Sequence, residues 1–307
     1  MPFAVDIPRE APRLDLIAVV LLTLPPLLWA GNAVVGRVAR DSIAPFHLNF
    51  LRWLVAAILL FPFVARDLPK SWPALRAVWP WVLLMGLLGV GTYNALQYLA
   101  LTTSTPINTS LIASSGPIFS LVLGALLFAE RVTTSQIAGA AVSLLGVLWV
   151  MVHGDIARAR AIDLDIGDLY MLLATLSWAV YTWVVRKRRP KVTMAVLLFA
   201  QIVSGLMLAL PLAAFESIRP AHPLVIDLKT MAMVGYIATC ASLIAYFCWD
   251  RGVARVGAQL PMFFQNLTPV FAALISSVAL HETPELYHLV GLGLILLGIV
   301  LASRRAR

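Results

Sequence analysis

Residues 117–130 read PIFSLVLGALLFAE, and residues 269–282 read PVFAALISSVALHE. A shift of 152 residues lays Pro117 on Pro269, Phe119 on Phe271 and Glu130 on Glu282 without a gap. The same register continues to Gly139 on Gly291, Leu145 on Leu297 and Gly146 on Gly298. Matches of Leu or Gly mean little in apolar sequence, whereas a proline and a glutamate held at one spacing constrain it. Earlier in the chain a shift of 149 lays Trp29-Ala30 on Trp178-Ala179 and Arg52 on Gln201. The chain is a duplicated unit, and the number of helices in one unit decides its architecture.

Ten apolar runs can be counted, at about 15 to 37, 45 to 65, 77 to 100, 105 to 128, 135 to 152, 167 to 186, 193 to 215, 229 to 250, 257 to 280 and 286 to 303. They are continuous and lack the alternation of barrel strands, so they read as helices. The fold class that follows is an all-α polytopic membrane protein with ten transmembrane helices. Five helices per unit is an odd number, so the second copy enters the membrane from the opposite side, an inverted repeat of the alternating-access kind. The expected organisation is an N-terminal tail at 1–13, a first repeat at 14–152, an outer linker at 153–166, a second repeat at 167–303 and a basic tail at 304–307.

Composition agrees. Of 307 residues, 61% are hydrophobic and 12% charged, and the mean hydropathy is +0.89. Soluble domains run at about 25% charged, so a soluble enzyme is excluded. The net charge of +8 reflects topology rather than nucleic-acid binding, because the basic residues sit between apolar spans. Sixteen Lys and Arg fall on the side of the termini and six on the other, with Arg186-Lys187-Arg188-Arg189 the strongest anchor. Both termini are therefore expected in the cytoplasm of a cell inner (plasma) membrane protein. Cys240 and Cys248 share one apolar run, which argues against a disulfide framework or a zinc site. His281-Glu282 begins like a zinc-protease motif, but Pro284 and Glu285 end the likeness. No metal, cofactor or catalytic residue is expected.

The Trp29-Ala30-Gly31-Asn32 element, the Phe50-Leu51-Arg52 element and the two proline-to-glutamate blocks resemble the EamA domains of the drug/metabolite transporter superfamily. The resemblance spans the chain as two EamA units and is nearest to the YddG-type exporters of aromatic amino acids. It implies a ten-helix basket whose central cavity is lined by spans one, three, four, six, eight and nine, with five and ten peripheral. Spans five and ten indeed carry almost no hydrogen-bonding side chains. Their Gly139, Ser143, Gly146, Gly291 and Gly298 form a small-residue stripe suited to packing within the monomer or to a dimer contact.

Polar groups in hydrocarbon are costly unless paired or wet, so they mark the cavity. The candidates are Trp29 and Asn32 in span one, Tyr93, Asn94, Gln97 and Tyr98 in span three, and Asn108, Ser114 and Ser115 in span four. Span six adds Thr175, Trp178, Tyr181 and Thr182, span eight Tyr246 and Trp249, and span nine Gln265 and Asn266. Each could equally serve a helix-to-helix hydrogen bond. Arg52 is the one deep cation and either holds a substrate carboxylate or pins span two to its neighbours. Pro117 and Pro269, near the middle of spans four and nine, are read as alternating hinges or static kinks, and Pro25-Pro26 as a further distortion.

Asp168, Asp250, Glu130 and Glu282 are placed at span ends, leaving a lining of aromatics, amides and hydroxyls with little charge. That lining suits a small-molecule substrate that is amino-acid-like: neutral or zwitterionic metabolites, chiefly aromatic and other apolar amino acids such as Phe, Trp, Tyr, Met and Thr. A multidrug or quaternary-ammonium exporter would be expected to carry a buried carboxylate, and a membrane-embedded enzyme would turn over lipid or peptide.

Overall fold

The computed structural model describes residues 14–39, 42–104, 109, 112–152, 154–157, 166–218, 227–279 and 286–303. Asn108, His281, Glu282 and both tails lie outside the described residues. Among those described, the secondary structure is helical and contains no strand. Span one is Leu16–Ala39, span two Pro45–Val64, span three Trp79–Thr103, span six Ile166–Arg188, span seven Met194–Ile218 and span eight Leu228–Val256. These six are long and apolar enough to cross a membrane. Large apolar side chains such as Leu16, Phe63, Leu126 and Phe215 stand exposed around the bundle. A polytopic membrane protein places such a belt against lipid, where every backbone group must be satisfied inside its own helix.

Spans four and nine depart from the expected continuous helices. Span four resumes as Gly116–Phe128 after a turn at Ser114-Ser115. Span nine is Gln259–Gln265 and Thr268–Ala279, separated by a turn at Asn266-Leu267. Pro117 and Pro269 are thus the second residues of new helices, not mid-helix kinks. A residue preceding proline avoids the helical region, and in the first turn the missing N–H of proline costs nothing. The two breaks lie 152 residues apart, so each repeat interrupts the same helix at the same place.

The duplicated register also extends into spans three and eight. Span three widens into a π-helix at Gly86–Thr92, and span eight does so at Ile237–Ile244, their ends again 152 residues apart. Pro25 and Pro26, by contrast, lie inside an unbroken span one.

Span five (Thr134–Met151) packs along span ten (Leu286–Ser303) through the glycine stripe. A Cβ on Gly139 would stand 2.6 Å from the Gly298 carbonyl oxygen, and one on Gly298 would stand 2.7 Å from that of Gly139. Gly146 meets the Gly291 carbonyl in the same way, at 2.8 Å. Gly139 and Gly291 are repeat mates, as are Gly146 and Gly298, so Gly139 touches the mate of Gly146 and Gly146 touches the mate of Gly139. That crosswise exchange is the signature of antiparallel helices about a two-fold axis. The small-residue stripe is therefore filled within the chain.

Gly139→Val should force these helices apart and lower the thermal midpoint of the detergent-purified protein, at a cost of about 1–3 kcal/mol for overpacking. Gly293→Ala, where an added Cβ meets nothing within 4 Å, should leave the midpoint unchanged or raised.

Candidate functional site

A cleft between the helices gathers several of the polar groups of the bundle. Its lining comes from span one (Trp29, Asn32, Ala33, Val34), span three (Tyr93, Asn94, Gln97, Leu101), span four (Thr109, Ala113, Ser114), span six (Met171), span eight (Tyr246) and span nine (Gln265, Thr268, Pro269, Ala272). It encloses about 1020 Å³ when the open solvent at its mouth is included. The lining lies toward the C-terminal ends of spans one and three and the N-terminal end of span six, so the cleft belongs to the end of the bundle away from the chain termini. Among the described residues, no charged side chain lines it.

Its floor is aromatic. Trp29 meets Trp178 edge-on at 5.2 Å between ring centroids and Trp249 at 5.3 Å, and Trp178 meets Tyr93 at 5.0 Å and Tyr246 at 5.3 Å. Such pairs contribute about 0.5–1.5 kcal/mol each beyond the area they bury. Beneath the floor, the end nearer the termini is latched. Asp15 pairs with Arg255, Glu130 pairs with Lys187, Gln136 Nε2 donates to Gln259 Oε1 at 2.6 Å, and Arg186 donates to the Ala254 carbonyl at 3.0 Å. The Arg255 guanidinium, helped by the Ala18 N–H, holds the Asp15 carboxyl below the usual carboxylate range.

Arg52 is wholly buried one layer behind the cleft. Its Nε and Nη2 donate to Ser242 Oγ at 2.9 and 2.7 Å, and Nη2 also reaches the Ala241 carbonyl at 3.4 Å. Nη1 donates to Asn94 Oδ1 at 2.9 Å and to Tyr98 Oη at 2.8 Å. Tyr98 in turn donates to Asn32 Oδ1 at 3.0 Å. The second repeat holds a matching set in different chemistry. The mates of Asn32, Arg52 and Tyr98 are Tyr181, Gln201 and Asp250. Tyr181 Oη lies 2.7 Å from Asp250 Oδ1 and 3.1 Å from Gln201 Oε1, and Gln201 Nε2 approaches Asp250 Oδ2 at 3.4 Å.

Both halves of the chain, residues 16–152 and 165–304, match the model of the EamA-like transporter family. The chain belongs to that family. Its EamA relatives include an uncharacterized transporter of Archaeoglobus fulgidus, 26% identical over 93% of this chain and 96% of that protein. A probable terminal-alkyne amino-acid exporter of Streptantibioticus cattleyicolor is 28% identical over 94% of both chains. A probable amino-acid metabolite efflux pump of Escherichia coli K12 is 27% identical, over 91% of this chain and 92% of that one. A solved crystal structure superposes with a TM-score of 0.74 at 23% identity, covering 93% of this chain and 96% of the other, which establishes the shared fold. The family and its relatives are transporters and efflux pumps, not enzymes.

Within this EamA fold the sequence candidates separate into layers. Trp29, Asn32, Tyr93, Asn94, Gln97, Ser114, Tyr246 and Gln265 line the cleft, and so does Pro269. Trp178 and Trp249 lie under it as the floor, while Tyr98 and Tyr181 belong to the two buried networks. Ser115 Oγ donates to the Ile112 carbonyl in the span-four turn, and Asn266 Nδ2 donates to Ser143 Oγ of span five, away from the cleft. Thr175 and Thr182 donate back to their own helix. Thr109, Thr268 and Met171 line the cleft without having stood out in sequence. A threonine directly before Pro269, one residue past a turn, was the available signal for Thr268.

Asp250 corrects the placement of the acids at span ends. It is 1% exposed, six residues inside the end of span eight, or about 9 Å along the axis at 1.5 Å per residue. The apolar run faded near this residue, but the helix continues to Val256, so chain position understated its depth.

The five donors of Arg52 are all used inside the protein, and it does not line the cleft. Arg52→Lys should therefore act on the scaffold, since a single ammonium cannot reach Ser242, Asn94 and Tyr98 together. The expected result is a fall in thermal midpoint and membrane yield, with about 1–3 kcal/mol for each acceptor left bare. Intact yield with only a raised half-maximal substrate concentration would instead assign Arg52 to the substrate.

Proposed function

We propose that this EamA protein is a secondary transporter that exports small neutral or zwitterionic metabolites, chiefly aromatic and other apolar amino acids, by alternating access across the inner membrane. Membership of a transporter family gives the coarse function. The observation that carries the finer one is the cleft: aromatic and amide groups, no charged lining residue among those described, and room for one small molecule. Indoles and phenols offer stacking faces to an apolar side chain, while Asn32, Gln97 and Gln265 can hydrogen-bond a zwitterionic head. Relatives described as probable exporters of amino acids or their metabolites support the same substrate class.

With the termini in the cytoplasm, as the charge asymmetry indicates, the cleft opens outward and the ion-paired end faces the cytoplasm. The structure then corresponds to the state that releases an exported substrate. Half-helices starting at Gly116 and Thr268 point N-terminal N–H groups toward the middle of the bundle, the arrangement in which broken helices hold anionic substrate groups. A drug exporter selecting hydrophobic cations is the weaker reading, because Asp250 stands outside the cleft.

Proteoliposomes loaded with labelled Phe, Trp, Met or Thr should exchange at least one of them, and flux of none would end the amino-acid reading. Tyr93→Ala should raise the half-maximal concentration for Phe or Trp about tenfold, the loss of roughly 1.4 kcal/mol of ring contact, with less effect on Thr. If the breaks before Pro117 and Pro269 work as hinges, replacing either proline by alanine should let the two half-helices fuse and slow exchange. An exchange rate equal to that of the parent would show them to be static.

A further inference from the structure

Asp250 is a buried carboxyl that the proposed substrate cleft does not use. Among the described residues it makes no ion pair. The elements packed around it present Tyr181 and Arg189 from span six and its end, Gln201 from span seven, Met85 from span three and, on span eight itself, Tyr246 and Arg251. Both arginines lie beyond ion-pair distance of the carboxylate.

Hydrogen-bond accounting distinguishes the two protonation states. Tyr181 has one hydroxyl proton and two acceptors within reach, Asp250 Oδ1 at 2.7 Å and Gln201 Oε1 at 3.1 Å. If Asp250 is ionised, the tyrosine donates to it and Gln201 Oε1 is left without a donor. If Asp250 is protonated, its O–H donates to Tyr181, Tyr181 donates to Gln201 Oε1, and Gln201 Nε2 donates back to Asp250 Oδ2. Every group is then satisfied and no charge is left unpaired in a low-dielectric interior. The first repeat shows the same geometry solved by a permanent cation, with Arg52 donating to Tyr98 and Tyr98 to Asn32.

We propose that Asp250 is a proton-binding site whose occupancy holds the end of the bundle nearer the termini closed. This deepens the alternating-access reading and rests on it. The repeat mates of the present cleft lining include Trp178, Tyr181 and Thr182. Opening the closed end exposes that mirrored surface and the carboxyl behind it to water, where the O–H gives its proton to solvent and the carboxylate is hydrated. Closing the end returns a proton to the carboxyl. Raising the pH on that side therefore favours the open form. The Asp15–Arg255 pair works in the opposite direction: its depressed carboxyl keeps the latch intact above the ordinary carboxylate range and loses it only as pH falls through the lowered value.

The test reads the conformation directly, without a substrate. Thr182 is wholly buried in the closed form. A Thr182→Cys chain with Cys240→Ala and Cys248→Ala, reconstituted in vesicles, is labelled from the side of the termini by a membrane-impermeant maleimide, corrected for the intrinsic pH dependence of thiol labelling on a denatured control. Corrected labelling should rise between about pH 5.5 and about pH 8.5, by up to about tenfold per pH unit for one coupled proton. Asp250→Asn, whose amide can donate to Tyr181 as the protonated acid does, should remain poorly labelled and flat with pH. Should that variant fail to fold, the infrared band of a protonated carboxylic acid in the parent protein at neutral pH, shifted in Asp250→Glu, tests the same site. Flat labelling of the parent, parent-like pH dependence in a folded Asp250→Asn chain, or no such band would overturn the proposal. Absent amino-acid flux with the pH-dependent labelling retained would instead refute the substrate reading and leave the proton site standing.

Discussion

A guanidinium at hydrocarbon depth must have an acceptor for each of its N–H groups, and the way Arg52 finds them organises the bundle. Its partners come from span three, through Asn94 and Tyr98, and from the π-helical part of span eight, through Ser242 and the Ala241 carbonyl. The wider π turn matters here, since Ser242 Oγ donates to the Ile237 carbonyl five residues back while accepting from the arginine. Tyr98 carries the network on to span one. Four spans from both repeats are thereby tied to one cation, and the residues so fixed, Asn32 and Asn94, are those that reach the cleft.

The two repeats share geometry but not state. Trp29 Nε1 donates to the Ala241 carbonyl at 3.1 Å. The mirrored bond would run from Trp178 Nε1 to the Gly89 carbonyl, but that oxygen already accepts from Tyr246 Oη and Asn94 Nδ2, and Trp178 Nε1 has no partner among the described residues. A buried donor without a partner costs about 1–3 kcal/mol. Exchange of the two tryptophans' roles would satisfy one indole and release the other. On the proposed alternating-access mechanism, that exchange is the kind of energetic symmetry a pair of interconverting states needs.

Much of this architecture was legible in the chain. The proline-to-glutamate register located the repeats, and the apolar runs located the helices to within a few residues at most ends. Depth and local breaks were harder to read. Asp250 sits where the apolar run fades, yet the helix continues to Val256 and carries the carboxyl inward. Extending the 152-residue register into span three would have paired Asp250 with Tyr98 and hinted at its burial. The turns at Ser114-Ser115 and Asn266-Leu267 occupy apolar stretches whose hydropathy conceals a break, and only the residues before each proline pointed to one. Asn266 turns its amide nitrogen to Ser143 of span five, and amide chemistry alone does not say which face of a turn a residue occupies.

The cleft, uncharged among the described residues, and the buried cation fit together on the proposed amino-acid reading. Arg52 never enters the cleft, but it polarises what does. By donating to Tyr98 it commits that hydroxyl's own proton to Asn32 Oδ1, which leaves the Asn32 amide nitrogen as the group available to a bound molecule. A chain of hydrogen bonds strengthens each member, and strengthening counts for more where the dielectric is low. A substrate carboxylate would then meet a neutral donor backed by a full positive charge one layer away. Affinity for the anionic end of a zwitterion follows without the desolvation that a free arginine in the cleft would suffer each time the site emptied, and a carrier must release its substrate as readily as it binds it.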